Sequence, residues 1–413
     1  MTYRTDDATM NATEAPPVLV GCDPAHPHSA CVEGAGGDAA RIEPQGTTPM
    51  VRDVRLDACR GVALWFVFLD HIPDNLASWL TLRNYGFSDA TEVFVFISGY
   101  TCMMAYGDVM NREGWPGAAR HALRRSFEIY LAFLLLVAAY VLLVRLIGSN
   151  GLLDETNTRV FFEFPGTAIV HAIGLRYAPV NTDILPTFVL FHLSFPVLML
   201  GLRKSPAVVL AGSMALYVAV QVRGFDLPSW PRGEWYFNPF AWQLLFVSGA
   251  WWVSLSGERR RRLISSNIIL VVAMAYLLFG FALTLGWHLH PAKEWLPEVL
   301  VGLIYPIDKS QFDPLRLLHF MALAAVAARV LPPRRDETAT FWTTAAVRCG
   351  QHSLVIFCLS VLLSFAGHVI LARLSGAIVM QVIVSAAGIA VLIAVASLLT
   401  RIARRTASRP LSF

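Results

Sequence analysis

The sequence predicts an all-α polytopic membrane protein of about ten transmembrane helices, with both termini on the cytoplasmic side. Three observations carry that expectation. Of 413 residues, 55% are apolar and only 15% are charged, and the mean hydropathy is +0.53. Several apolar runs reach the roughly 20 residues that a helix needs to cross a bilayer. Those runs are continuous rather than alternating, which excludes a β-barrel. The basic residues are also distributed unevenly between alternate loops, as the positive-inside rule describes.

The first fifty residues are rich in Pro, Gly, Ala, Thr and acids, and they lack periodicity. With no apolar h-region they are not a signal peptide, and they are expected to be a disordered cytoplasmic tail. Candidate spans follow at about 55–75, 87–106, 126–147, 184–202, 206–223, 238–256, 264–286, 313–331, 351–373 and 377–400. Together they make one membrane domain, 51–402, followed by a short basic tail, 403–413. With the N-terminus inside, eighteen basic residues beyond the N-terminal tail fall on inside segments, including Arg124, Arg125, Arg203, Lys204 and the Arg259–Arg262 run. Only ten fall outside, in longer loops, so the density bias sets the orientation. The net charge of +4 is therefore mostly a topology signal and does not point to nucleic acid. Some inside cations could also hold an anionic cytosolic ligand such as a CoA phosphate.

Two outside loops are long, 148–183 and 287–312. Within the first, FFEFPGTAIVHAIGLRY (161–177) is moderately amphipathic and suits the membrane interface. Trp230, Trp235 and Tyr236 in loop 224–237 fit either the interfacial aromatic belt or stacking on sugar rings. The six cysteines form no CxxC pattern, so neither a zinc site nor a disulfide framework is indicated. No P-loop or dinucleotide fingerprint is present.

The first span, RLDACRGVALWFVFLDHIPDN (55–75), carries charges that an apolar helix should not have. Successive residues of a helix turn by about 100°. Arg60 and His71 are eleven residues apart and therefore share a face, about 16 Å apart along the axis. Asp57 lies within about 40° of that face, where it could cap the helix, pair with Arg60 or serve the site. Ionisable groups inside a membrane are costly and generally face a cavity or partner.

Five further spans bring polar residues to the depth of His71. These are Glu92 on the second, Asp183 at the start of the fourth, and Asn238, Trp242 and Gln243 on the sixth. Lys309, Asp313, Arg316 and His319 accompany the eighth, and His368 the ninth. Such convergence predicts a polar cavity open to the outside. His192 and His352 are expected to make ordinary interhelical hydrogen bonds. The imidazole of His71 suits a hydroxyl-proton acceptor or a transient acyl carrier. A carboxylate beside it, Asp70 or Glu92, would fix its tautomer. Arg60, deeper in the membrane, is placed to bind an anionic donor from the cytosol. No metal is implied, since His71 has no His or Cys partners at ligand spacing.

At these residues the chain resembles a known family. DxxRG with DH on the first span, TEVFVFISGY (91–100), DILPTFVLF (183–191), FNPFAWQLLF (237–246) and DKSQFDPLRLLHF (308–320) are similar to the OpgC family. Its members are inner-membrane proteins that succinylate osmoregulated periplasmic glucans. The family is related to the acyltransferase-3 group, which carries an arginine, ten residues and a histidine on the first span. Arg60 and His71 match that spacing. The resemblance implies succinyl-CoA as a substrate donor, with no permanently bound cofactor, and a periplasmic glucan as acceptor. It makes His71 the catalytic residue and Arg60 a donor-positioning one. The succinyl carboxylate calls for a cation near His71, and Lys309 and Arg316 have suitable depth. A polysaccharide O-acetyltransferase using acetyl-CoA, or a glucan or anion transporter, are the alternative readings. Oligomeric state is not legible.

Overall fold

The computed structural model describes residues 53–147, 150–289, 304–331 and 340–407. The predicted N-terminal tail, most of loop 287–312 and the end of the C-terminal tail lie outside those residues. The described residues are built of helices, with one isolated bridge between Pro228 and Glu234. Every predicted span falls on a helix. Among the described residues, six helices are by length and composition long and apolar enough to cross a membrane.

Helix α1 (Val54–Asp70) is capped by Asp53, whose carboxylate accepts from the Arg55 amide at 3.0 Å. It ends at Asp70, five residues before the predicted limit. Pro73 cannot continue a helix, and Asp74 takes a left-handed conformation (φ 52°). Two short 3-10 turns, Leu76–Leu80 and Leu82–Asn84, then lead to α2.

Helix α2 (Ala90–Ile147) holds both the second and third predicted spans in 58 residues. Where the sequence suggested a loop, the helix instead bends at Gly114 (φ 72°), a conformation that glycine adopts without strain, and Pro116 follows. The predicted interfacial piece is broken at Phe164–Pro165 into α4 (Arg159–Glu163) and α5 (Pro165–Ile173), after α3 (Asn150–Glu155). Next come α6 (Ile184–Lys204), α7 (Pro206–Arg223), α8 (Pro239–Ser254), α9 (Gly257–Ser265) and α10 (Asn267–Leu289). Four more complete the bundle: α11 (Pro314–Val330), α12 (Phe341–Gln351), α13 (Ser353–Arg373) and α14 (Ile378–Ala407).

The core positions α1 from two sides. On one side α1 packs on α12 so closely that a Cβ at Gly61 would collide with the Ala346 carbonyl, and one at Gly350 with the Asp57 carbonyl. Small residues at such crossings let backbones approach, which is how helices gain packing energy in lipid. On the other, α2 packs against α8 and α6, burying Trp242, Phe246, Phe195 and Phe133. Helices α7, α10 and α14 instead present long apolar surfaces outward, as lipid-facing helices do.

Candidate active site

A single cavity of about 1400 Å³ runs along α1. Arg60, Val67, Asp70 and His71 line it, so the sequence-predicted stripe of α1 is its wall. At the Arg60 end it is joined by Thr101, His121, Arg124 and Arg125. At the His71 end it is joined by Arg83, Asp89, Asp183, Tyr236, Lys309 and Arg316. Arg60 donates to the Thr101 hydroxyl at 2.9 Å, which fixes its side chain against α2.

His71 caps α1, its amide donating to the Val67 carbonyl at 3.1 Å. Its ring Nδ1 is buried and has no hydrogen-bond partner among the described residues. Such a group is costly inside a protein, and here it belongs to a residue that lines the cavity. Neither predicted orienting carboxylate touches it. Asp70 accepts from the Thr81 hydroxyl at 2.7 Å. Glu92 accepts from Arg316 Nε at 2.8 Å and Nη2 at 2.5 Å, and from the Asp89 amide at 2.8 Å. Adjacent residues of a helix diverge by about 100°, so Asp70 and His71 point apart.

Asp89, which sequence reasoning did not single out, organises this end. Its Oδ1 accepts from the Thr91 amide at 2.8 Å, while Glu92 reaches back to the Asp89 amide. This is a capping box at the start of α2, and the D-x-x-E spacing before an apolar run was its available signal. Asp89 Oδ2 receives both Lys309 Nζ at 2.6 Å and Arg316 Nη2 at 3.1 Å. Two carboxylates and two cations thus form a network, with Glu92 0% and Arg316 8% exposed. Each charge satisfies another, which is what allows them to be buried. Glu92 stands behind Asp89 and is not part of the cavity wall.

Other expected site residues serve as scaffold. Asn238 and Trp242 are fully buried and do not line the cavity. Asn238 Nδ2 donates to Gln311 Oε1 at 2.7 Å, and Trp242 Nε1 to the Lys309 carbonyl at 3.2 Å. They hold the segment that presents Lys309. Gln243 bonds Ser213, tying α8 to α7. Asp57 is buried beside α12, away from the cavity wall.

His319 bonds Ser88 at 2.7 Å and borders a smaller apolar groove instead of the cavity. His368 pairs with Glu155 at 3.3 Å. His192 contacts Cys102 Sγ at 3.4 Å, the expected interhelical bond, although both line the cavity. Asp183, one residue before α6, does line it, and burial pushes its carboxyl up to about 7 against the pull of nearby backbone amides. Among the aromatic residues of loop 224–237, Trp230 stacks on His171 with ring centroids 4.9 Å apart, whereas Tyr236 stays 49% exposed at the cavity mouth.

These features define a multi-pass helical membrane protein with a charged cavity beside its first long helix. The family model described as "OpgC protein" matches residues 52–404, and the chain belongs to that family. Membership makes it an acyltransferase-type enzyme of glucan modification. Neither a curated protein nor a solved structure matches the chain.

Proposed function

We propose that the protein transfers a succinyl group from cytosolic succinyl-CoA to hydroxyls of periplasmic glucans, as a ten-span protein of the bacterial inner membrane with both termini in the cytoplasm. The observation that carries this reading is the continuity of one cavity from Arg60 to His71, ending on a buried, unpartnered imidazole nitrogen. In this reading the basic end, with Arg60, Arg124 and Arg125, faces the cytosol and takes the anionic CoA, whose pantetheine arm extends toward His71. The positive-inside bias of the loops supports that direction. Tyr236, exposed at the other mouth, offers a ring face to a sugar of the acceptor.

The chemistry then balances without a bound cofactor. A glucan hydroxyl oxygen attacks the thioester carbonyl as a nitrogen of His71 accepts its proton. The new C–O bond forms and the C–S bond breaks, and the CoA sulfur leaves with the proton returned from the imidazolium. The cavity lets the two substrates meet while the rest of the bundle stays closed, which is the positional part of catalysis.

The test uses purified protein in nanodiscs, wild type beside His71→Ala, with succinyl-CoA and a periplasmic glucan. Free CoA and glucan mass are followed. A gain of one succinyl unit that disappears in the variant is the expected result. Modification that survives the substitution would remove His71 from the chemistry. A wild type that prefers acetyl-CoA would make it an O-acetyltransferase. Glucan movement with no covalent product would make it a transporter.

A further inference from the structure

Lys309 and Arg316 were the cations expected to meet the succinyl carboxylate, but Arg316 already has partners. Nε and Nη2 are spent on Glu92 and Asp89, and the side chain is enclosed. Two other cations at the His71 end are differently placed. Lys309 has a 27% exposed side chain that lines the cavity, and its Nζ lies 5.7 Å from the centre of the Phe237 ring. An ammonium carries three donors, and the bond to Asp89 uses one of them. Arg83, on the turn Leu82–Asn84, is exposed and also lines the cavity. Its Nη1 reaches the Asp70 carbonyl at 3.4 Å, a long contact next to His71 in the chain. Both cations line the same cavity as His71.

The geometry points to Arg83 and Lys309 as a clamp for the distal carboxylate of the succinyl group, an inference that rests on the succinyl-transfer reading above. That carboxylate is two methylenes from the reacting carbonyl, so a carbonyl held at His71 brings it to residues that border His71 in the same cavity. Arginine offers a planar fork and lysine a point charge to a carboxylate.

Of the two, Lys309 is the one whose present partner is shared with another cation. Asp89 Oδ2 is bonded by Arg316 as well, so it stays paired when Lys309 turns to the substrate. The neighbouring Asp70 carboxylate also lines the cavity, with one oxygen accepting from the Thr81 hydroxyl at 2.7 Å, so the two cations must also offset its charge. A neutral acyl group gains nothing from the clamp and leaves two cations facing an apolar chain. The donor choice is therefore made here, while the buried Arg316 keeps Asp89 and Glu92 in place.

The experiment compares succinyl-CoA with butyryl-CoA, which has the same four-carbon chain without the carboxylate. Full-length protein in nanodiscs is assayed for kcat/KM with each donor, as wild type, Arg83→Gln, Lys309→Gln, the double variant and Lys309→Arg. Wild type should prefer succinyl. Each single glutamine variant should lower the succinyl-to-butyryl ratio about tenfold, as loss of a charged hydrogen bond does, mostly through KM for succinyl-CoA. The double variant should lower it further, and Lys309→Arg should keep most of the preference. An unchanged ratio in both single variants overturns the clamp. So does equal loss of both donors, which would mean that these charges act on the fold. A wild type without preference for succinyl instead overturns the succinyl reading itself, before any variant is considered.

Discussion

Helices α1 and α8 look alike in sequence and do opposite things in the structure. Both are apolar with a few polar side chains, on α8 near its start and on α1 toward both ends. On α8, Asn238 and Gln243 have their side-chain groups bonded inside the protein and Trp242 donates to the Lys309 carbonyl. On α1, Arg60 and His71 reach a cavity, and His71 keeps a buried nitrogen with no partner. A buried polar group that is already satisfied stabilises the fold, and one that is not is available to a substrate. The difference lies in which neighbours fold against each helix, not in residue type or in depth.

The comparison can be broken most sharply at His71. His71→Ala should lower acyl transfer by about 10²–10⁴-fold, the usual contribution of a positioned acid–base group, while thermal melting in detergent stays near wild type. A large loss of melting temperature with little change in rate would place His71 among the scaffold residues instead. Next in size is the network at α2. Arg316→Ala leaves Asp89 and Glu92 short of a cation, and should destabilise the protein by about 3–5 kcal/mol, read as a lower denaturation midpoint. Arg316→Lys cannot reproduce the fork and should recover only part of it.

Smaller again is Asn238→Ala, which removes the support of the Lys309 segment. It should cost about 1–3 kcal/mol in stability and should raise KM for succinyl-CoA more than it lowers kcat. An effect on stability alone would make α8 purely structural, and an effect on kcat alone would move it toward the chemistry.

The smallest effect concerns the outer loop. Asp226 is half-buried, and burial pushes its carboxyl up to about 7, against the bond from the Leu227 amide; Glu234 and Asp308 add repulsion. A carboxyl raised above its unfolded value stabilises the fold at low pH. That contribution is complete below about pH 4 and is lost as pH rises through about 7. After solvent screening it amounts to less than about 1 kcal/mol. Asp226→Asn should therefore flatten the melting profile between about pH 4 and about pH 7. A profile of unchanged slope would assign the pH dependence to other groups.

Much of the architecture was legible because its causes are local. Apolar run length located the helical segments, although the second and third predicted spans form one bent helix, and the 100° turn per residue put Arg60 and His71 on one face of α1. The capping box at Asp89–Glu92 was also readable, since it depends on a three-residue spacing. What the sequence did not report was which residues of common depth line the cavity. Asn238, Trp242, Gln243 and His319 share the depth of His71, yet a residue on the far side of a helix faces a neighbour and not the cavity.

From the sequence alone came the membrane class, the helix positions, the family and the α1 stripe. Each follows from composition, periodicity or a linear motif, none of which needs distant residues to meet. Only the tertiary structure decided which charges are already paired. Glu92 and Arg316 are 224 positions apart in the chain, and Asp89 and Lys309 are 220. No local pattern reports such a meeting. Pairing, set by where α11 and the Lys309 segment meet the start of α2, encloses Arg316 between Glu92 and Asp89 and leaves His71, Arg83 and a partly exposed Lys309 at the cavity.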